Sequence, residues 1–127
     1  MDTEAIENEE LEGRVQAVVE QWGESFETVA RNDRFEFGGD EIRIRLWKKI
    51  KVGGIEVDRL TMVEPSLDDL MKLDNVRGDI AQTRRLIVSA CSVTDREAGQ
   101  IGMRDMGLIG QLAKAFTAAA PATGSTL

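Results

Sequence analysis

The sequence contains no histidine, so the side chain that most often moves protons near neutral pH and most often ligates transition metals is missing. Tyrosine is absent as well, and a single cysteine, Cys91, stands alone. One cysteine excludes an intrachain disulfide and a cysteine-rich zinc site. Without histidine, Cys91 also lacks the usual base that would make it a thiolate. Placed between Ala90 and Ser92 at the end of an apolar stretch, it reads as a buried structural residue. No apolar run approaches the length of a membrane span. The opening Met1-Asp2-Thr3-Glu4 has neither the basic nor the apolar segment of a signal peptide, and the expected location is the cytoplasm.

What the chain has in quantity is charge, 31% of its residues, with a net of -7 over 127 residues. That length fits one domain, and the sign argues against a general nucleic-acid binder, whose affinity comes from Lys and Arg on phosphates. The charge is segregated. Residues 1–40 hold twelve acidic and three basic side chains, 41–63 three and six, and 64–127 eight and seven. The acidic pairs do not form a recognisable site. Asp69 and Asp79 stand where helix caps are expected, Asp68 suits a helix N-terminus, and the spacing matches no calcium loop. Gly38-Gly39 and Gly53-Gly54 lack the Lys-Ser/Thr of a phosphate loop and flank strand patterns, so they read as turns. No catalytic residue, metal ligand or cofactor is expected, and the chain reads as a binding protein rather than an enzyme.

The pattern of apolar residues predicts an α+β domain. After a frayed start over 1–8, Leu11, Val15, Val18, Val19, Trp22, Phe26, Val29 and Ala30 recur at steps of three and four, a helical stripe over 9–31 with a weak point at Gly23. Ile42, Ile44 and Leu46 alternate with Arg43, Arg45 and Trp47 as a strand. Gly53-Gly54 turns it back into a second strand, Ile55 to Val63, whose alternation slips near Asp58-Arg59 and suggests a bulge there. Phe35-Glu36-Phe37 offers a short third strand. Ser66 with Asp69 and Thr94 with Glu97 have capping-box spacing, and Asp79 is placed to cap a helix between them. Met106, Ile109, Leu112, Ala113 and Phe116 form the stripe of a final helix, and 117–127 reads as a flexible tail. The expected organisation is an acidic helical arm (1–33), a hairpin with three to four short helices (34–116) and the tail (117–127).

Two segments point outward. Arg43, Arg45, Lys48, Lys49 and Lys51 surround Trp47, a mixture that can bind single-stranded nucleic acid. The plainer account is a solvated sheet face that pairs with acidic side chains of this chain or a neighbour, and the acidic total favours it. The arm is either an ordinary core helix or a docking helix anchored by Trp22 and Phe26; the sequence is compatible with both.

From Ile44 to Phe116 the sequence resembles the tail assembly chaperones of contractile-tailed bacteriophages of the Mu-like and P2-like type. The resemblance runs through Ile44-Arg45-Leu46, Val52-Gly53-Gly54, Leu60-Thr61-Met62-Val63-Glu64-Pro65, Leu67-Asp68-Asp69-Leu70, Leu86-Ile87-Val88-Ser89-Ala90-Cys91, Thr94…Glu97 and Asp105 ahead of the last helix. It departs in the longer acidic lead-in, in Lys48-Lys49-Ile50 where proline is common, and in Ile101 where leucine is expected. The resemblance implies a non-enzymatic role: coating the tape measure protein and keeping it soluble until the tail tube polymerises around it. It also implies absence from the mature virion and a longer product made by frameshifting. Trp22, Phe26, Trp47, Met62, Met71, Met106 and Phe116 are the candidate partner-binding residues, with the tape measure protein, the frameshifted form or a second copy as partner. The alternatives are a small tail or baseplate adaptor retained in the virion, and a nucleic-acid-binding regulator using the basic hairpin.

Overall fold

A computed structural model describes residues 3–119 and has the α+β organisation expected. The elements run α1 (Thr3–Trp22), a 3-10 turn (Glu24–Phe26), α2 (Glu27–Ala30), β1 (Phe35–Phe37), β2 (Glu41–Val52), β3 (Ile55–Val63), α3 (Leu67–Leu73), α4 (Asp79–Ala90), α5 (Asp95–Ala98) and α6 (Met103–Ala119). The three strands form one antiparallel sheet in the order β1-β2-β3. Its inner face, with Ile42, Ile44, Ile50, Leu60 and Met62, joins the helices in one buried core.

The apolar stripe of the arm is helical, but one helix does not carry it. Gly23 adopts φ 111°, a conformation open essentially only to glycine, and α1 stops at the preceding Trp22. The break turns the chain so that Phe26, Val29 and Ala30 still reach the core that Val15 and Val18 enter from α1. Phe26 packs against Phe116 (ring centroids 4.9 Å apart), Trp22 (5.7 Å) and Phe37 (6.4 Å). The Arg31 guanidinium reaches back to Glu12 at 2.7 Å. Residues 11–30 are therefore part of the domain, and position 33 does not separate an independent arm from it. Helix rather than frayed chain runs from Thr3, while residues 1 and 2 lie outside the described residues.

Both turns of the sheet form as the glycines predict. Gly53 and Gly54 take φ 58° and 80°, the pair of positive values that a two-residue hairpin turn of the primed type needs. The irregularity sits on the other strand from the one expected. Arg45 pairs with Arg59 and Ile50 with Val57, so four residues of β2, Leu46 to Lys49, face the single residue Asp58 of β3. The slip in β3 reflects a partner strand that bows out.

Of the three expected helix starts, two are capping boxes. Ser66 and Asp69 exchange hydrogen bonds at 3.2 and 3.0 Å, and Thr94 and Glu97 at 3.1 and 2.9 Å. Asp79 is not a cap: Gly78 occupies the N-cap of α4 at φ 95°, and Asp79 lies in the first turn. The final helix begins at Met103, earlier than the Met106 stripe suggested, and runs to Ala119 through the start of the expected tail. Positions 120–127 of that tail lie outside the described residues. After α4 the chain turns on Ser92 at φ 55°, the left-handed position that glycine usually takes at a helix C-terminus. Ser92→Gly is expected to raise the unfolding free energy by about 0.5–1 kcal/mol, seen as a higher urea midpoint at unchanged slope.

Candidate functional site

The bowed part of β2 is held by side chains from the α5–α6 segment. Asp105, 1% exposed, accepts the backbone N–H of Trp47 at 2.9 Å with one carboxylate oxygen and that of Lys48 at 3.0 Å with the other. Gln100 behaves like a strand partner: its amide accepts from Lys51 N–H and donates to Lys51 C=O, both at 2.9 Å. Glu97 accepts from Thr94 N–H and, at 2.7 Å, from Gly53 N–H. Those two donors hold its carboxyl below the usual carboxylate range. The N–H groups of Trp47 and Lys48 are thus satisfied without a neighbouring strand, and the hairpin is tied to α6.

This clamp leaves the Trp47 ring outside, 40% exposed. The guanidinium carbons of Arg34 and Arg104 lie over it at 3.9 and 4.1 Å from the ring centroid, within the range of cation–π attraction. Arg34 also donates to Arg45 C=O at 3.0 Å. On the same strands Arg43 is neutralised by Glu36 (3.0 Å) and Glu41 (3.3 Å). Arg45 faces Arg59 directly across the ladder.

A second feature is an apolar groove of about 210 Å³ between α4 and α6, with Ile80, Leu73, Met106, Gly107, Gly110 and Ala113 among its walls. Ile80 is 59% exposed at its rim. Asp79 and Lys114 edge it with charge. The two glycines are the unusual feature. A Cβ on Gly107 would meet no heavy atom within 4 Å, and one on Gly110 only the Thr83 hydroxyl at an ordinary 3.7 Å. Nothing among the described residues requires glycine at either place, yet each costs a helix about 1 kcal/mol relative to alanine.

Of the residues singled out from the sequence, Phe26, Met62 and Phe116 are buried in the core, and Phe26 and Phe116 also line, with Trp22 and Leu70, a cavity of about 200 Å³. They were drawn from apolar stripes, and a stripe does not distinguish core from interface. Trp22 is half-buried among Phe26, Phe37 and Phe116, and its indole N–H has no acceptor among the described residues. Met71, on α3, and Trp47 are exposed. Met106 is half-buried and lines the groove. Sequence reasoning missed Gly107, Gly110 and Ile80, and also Arg34, Arg59 and Arg104. The spacing of Gly107 and Gly110, three residues apart on one helical face, was the available signal. Cys91 is buried, and burial pushes its thiol up to about 12. Among the described residues, no group of three or more acidic, Cys or His side chains could hold a metal ion, and no helix is long and apolar enough to cross a membrane. The chain matches no family model, no curated protein and no solved structure.

Proposed function

We propose that this chain is a non-catalytic chaperone of phage tail assembly, which holds the helical tape measure protein soluble until tail tube subunits replace it. The supporting observation is the α4–α6 groove, whose lining keeps two glycines that no contact among the described residues demands. Removing both side chains lets the backbone of a client helix approach α6 closely, the helix-in-groove mode of recognition. Met106 in the wall is unbranched and adapts to apolar surfaces that differ along a long client. Asp79 and Lys114 at the edge keep such a complex wetted at its rim. A groove of this size gives modest affinity, which suits a client that must later be surrendered.

Co-expression with the tape measure protein of the same genome tests the reading. The wild-type chain is expected to raise the soluble fraction of the client and to co-purify with it. Gly107→Leu fills the groove from a position whose Cβ meets nothing, and a leucine favours helix over glycine by about 0.5–1 kcal/mol. The variant is therefore expected to melt at or above wild type while losing the client. A client equally soluble and unbound with or without the chain sinks the proposal. Mass spectrometry of purified particles, with the chain present in stoichiometric amount, would favour the adaptor reading instead.

A further inference from the structure

The outer face of the sheet carries positive charge that the fold leaves unneutralised. Arg45 and Arg59 are direct cross-strand partners and both are exposed; like charges in that relation destabilise a sheet. Arg34 and Arg104 stand beside them over Trp47. The ion pairs among the described residues use Arg31, Arg43 and Arg84 and none of these four. Arg34 is already immobilised by the ring and by Arg45 C=O, so less side-chain entropy is lost when an anion binds. In a chain of net charge -7, such a face persists at a cost unless something acidic covers it.

The complementary surface is on the same chain. Glu7, Glu9 and Glu10 are exposed on α1, ahead of Leu11, which packs on the core, and no basic residue precedes Arg14. The helix dipole favours acids in the first turn of α1, but Glu9 and Glu10 lie beyond it. The Glu12–Arg31 pair and buried Val15 and Val18 pin the helix further along, so this stretch stands off the core as a helix with no face packed, which is marginal by itself. Ile6 is 40% exposed among the glutamates. Trp47, 40% exposed among the arginines, offers it an apolar match. Nucleic acid is a poorer match, because the whole chain repels phosphate and Asp33 and Glu36 line the shallow depression beside Arg45 and Arg59.

We propose that the acidic first turns of α1 in one copy dock on the Arg45–Arg59–Trp47 face of a second copy. This self-association is independent of what fills the α4–α6 groove. Sedimentation velocity of the full chain at about 0.02 M and about 0.5 M salt reads it without any substitution, because exposed pairs are screened at the higher value. Wild type is expected to associate at low salt and to weaken at least about tenfold at high salt. The triple variant Glu7→Lys, Glu9→Lys, Glu10→Lys and the double variant Arg45→Glu, Arg59→Glu are each expected to be monomeric with wild-type circular dichroism. An equimolar mixture of the two is expected to form a heteromeric complex. A wild type that stays monomeric at low salt overturns the proposal. So do variants that associate like wild type, or a mixture that stays unassociated while wild type associates. Low-salt binding of duplex DNA that the double variant abolishes, with no self-association, would also overturn it and give the face to nucleic acid.

Discussion

Asp105→Ala is expected to cost about 3–4 kcal/mol of unfolding free energy, among the largest effects of any single substitution in this chain. The carboxylate is 1% exposed and accepts the N–H groups of Trp47 and Lys48, one on each oxygen. Hydrogen bonds to an ionised acceptor contribute roughly twice what neutral ones do. Truncation to alanine leaves both part-buried donors without their acceptor, and a group stranded away from water costs about 1–3 kcal/mol. No other strand stands ready to take them, because the pairing of β1 with β2 stops at Phe35↔Ile44 and that of β3 is interrupted over Leu46 to Lys49. Asp105→Asn keeps one acceptor and turns an amide N–H toward the other donor, so it should lose at least half as much as alanine. Gln100→Ala is the internal comparison: its two bonds to Lys51 are solvent-exposed, and water replaces them at about 1 kcal/mol or less. Urea denaturation of the three variants checks the order. An Asp105→Ala protein within about 1 kcal/mol of wild type would show that the bow does not depend on this clamp. Against a typical total of about 5–15 kcal/mol for a small domain, the expected loss leaves about 1–12 kcal/mol, so the alanine variant stays mostly folded without denaturant and shows its loss in the urea midpoint.

Asp105 also shows what was legible in the sequence and what was not. Its position ahead of the last helix was visible, but its partners lie 58 and 57 residues earlier, and nothing local links a carboxylate to a backbone N–H at that distance. The features that could be read were those decided within a few residues. Two capping boxes, the Gly53-Gly54 turn and the alternation of Ile42, Ile44 and Leu46 are local physics, and each formed. The bulge was half legible. Its effect on β3 broke the alternation at Asp58-Arg59, while its cause, a surplus of exposed residues on β2, continued to look like ordinary strand. The burial of two of the candidate partner residues was hidden for a related reason. Helical periodicity identifies the apolar side of Phe26 and Phe116 but not what lies against it, and here the two rings lie against each other. The groove was hidden in residues that carry no side chain. Gly107 and Gly110 offer no side chain to read, and their place in a groove emerges only when α4 is set beside them.

Phe26→Ala carries the second large effect, an expected loss of about 3–5 kcal/mol. Phe26 is 1% exposed and touches the rings of Trp22, Phe37 and Phe116, so it joins α1, β1 and α6 at one point. Deleting the ring removes its burial, worth about 1.5–3 kcal/mol, and leaves a cavity between rigid aromatic neighbours that collapse poorly. Two outcomes separate a core role from a docking role. As a core residue, Phe26 takes the urea midpoint down with it, and α1 becomes cleavable by protease at concentrations that leave wild type intact, because Gly23 already divides that helix from the turn that Phe26 anchors. As a docking residue of an arm lifted off the domain, it would leave both readouts within about 0.5 kcal/mol of wild type and change only partner binding. The packing around Phe26 requires the first result. It also sets the reach of the acidic segment: with Phe26, Val15 and Val18 in the core, the exposed stretch of α1 ahead of Leu11 is residues 6–10. That is the stretch whose glutamates match the arginine face of another copy. A Phe26→Ala protein should therefore lose self-association along with stability, whereas the charge-reversed α1 variant loses self-association alone. Measuring both by sedimentation and urea denaturation distinguishes an arm that acts through its charges from one that acts by holding the fold.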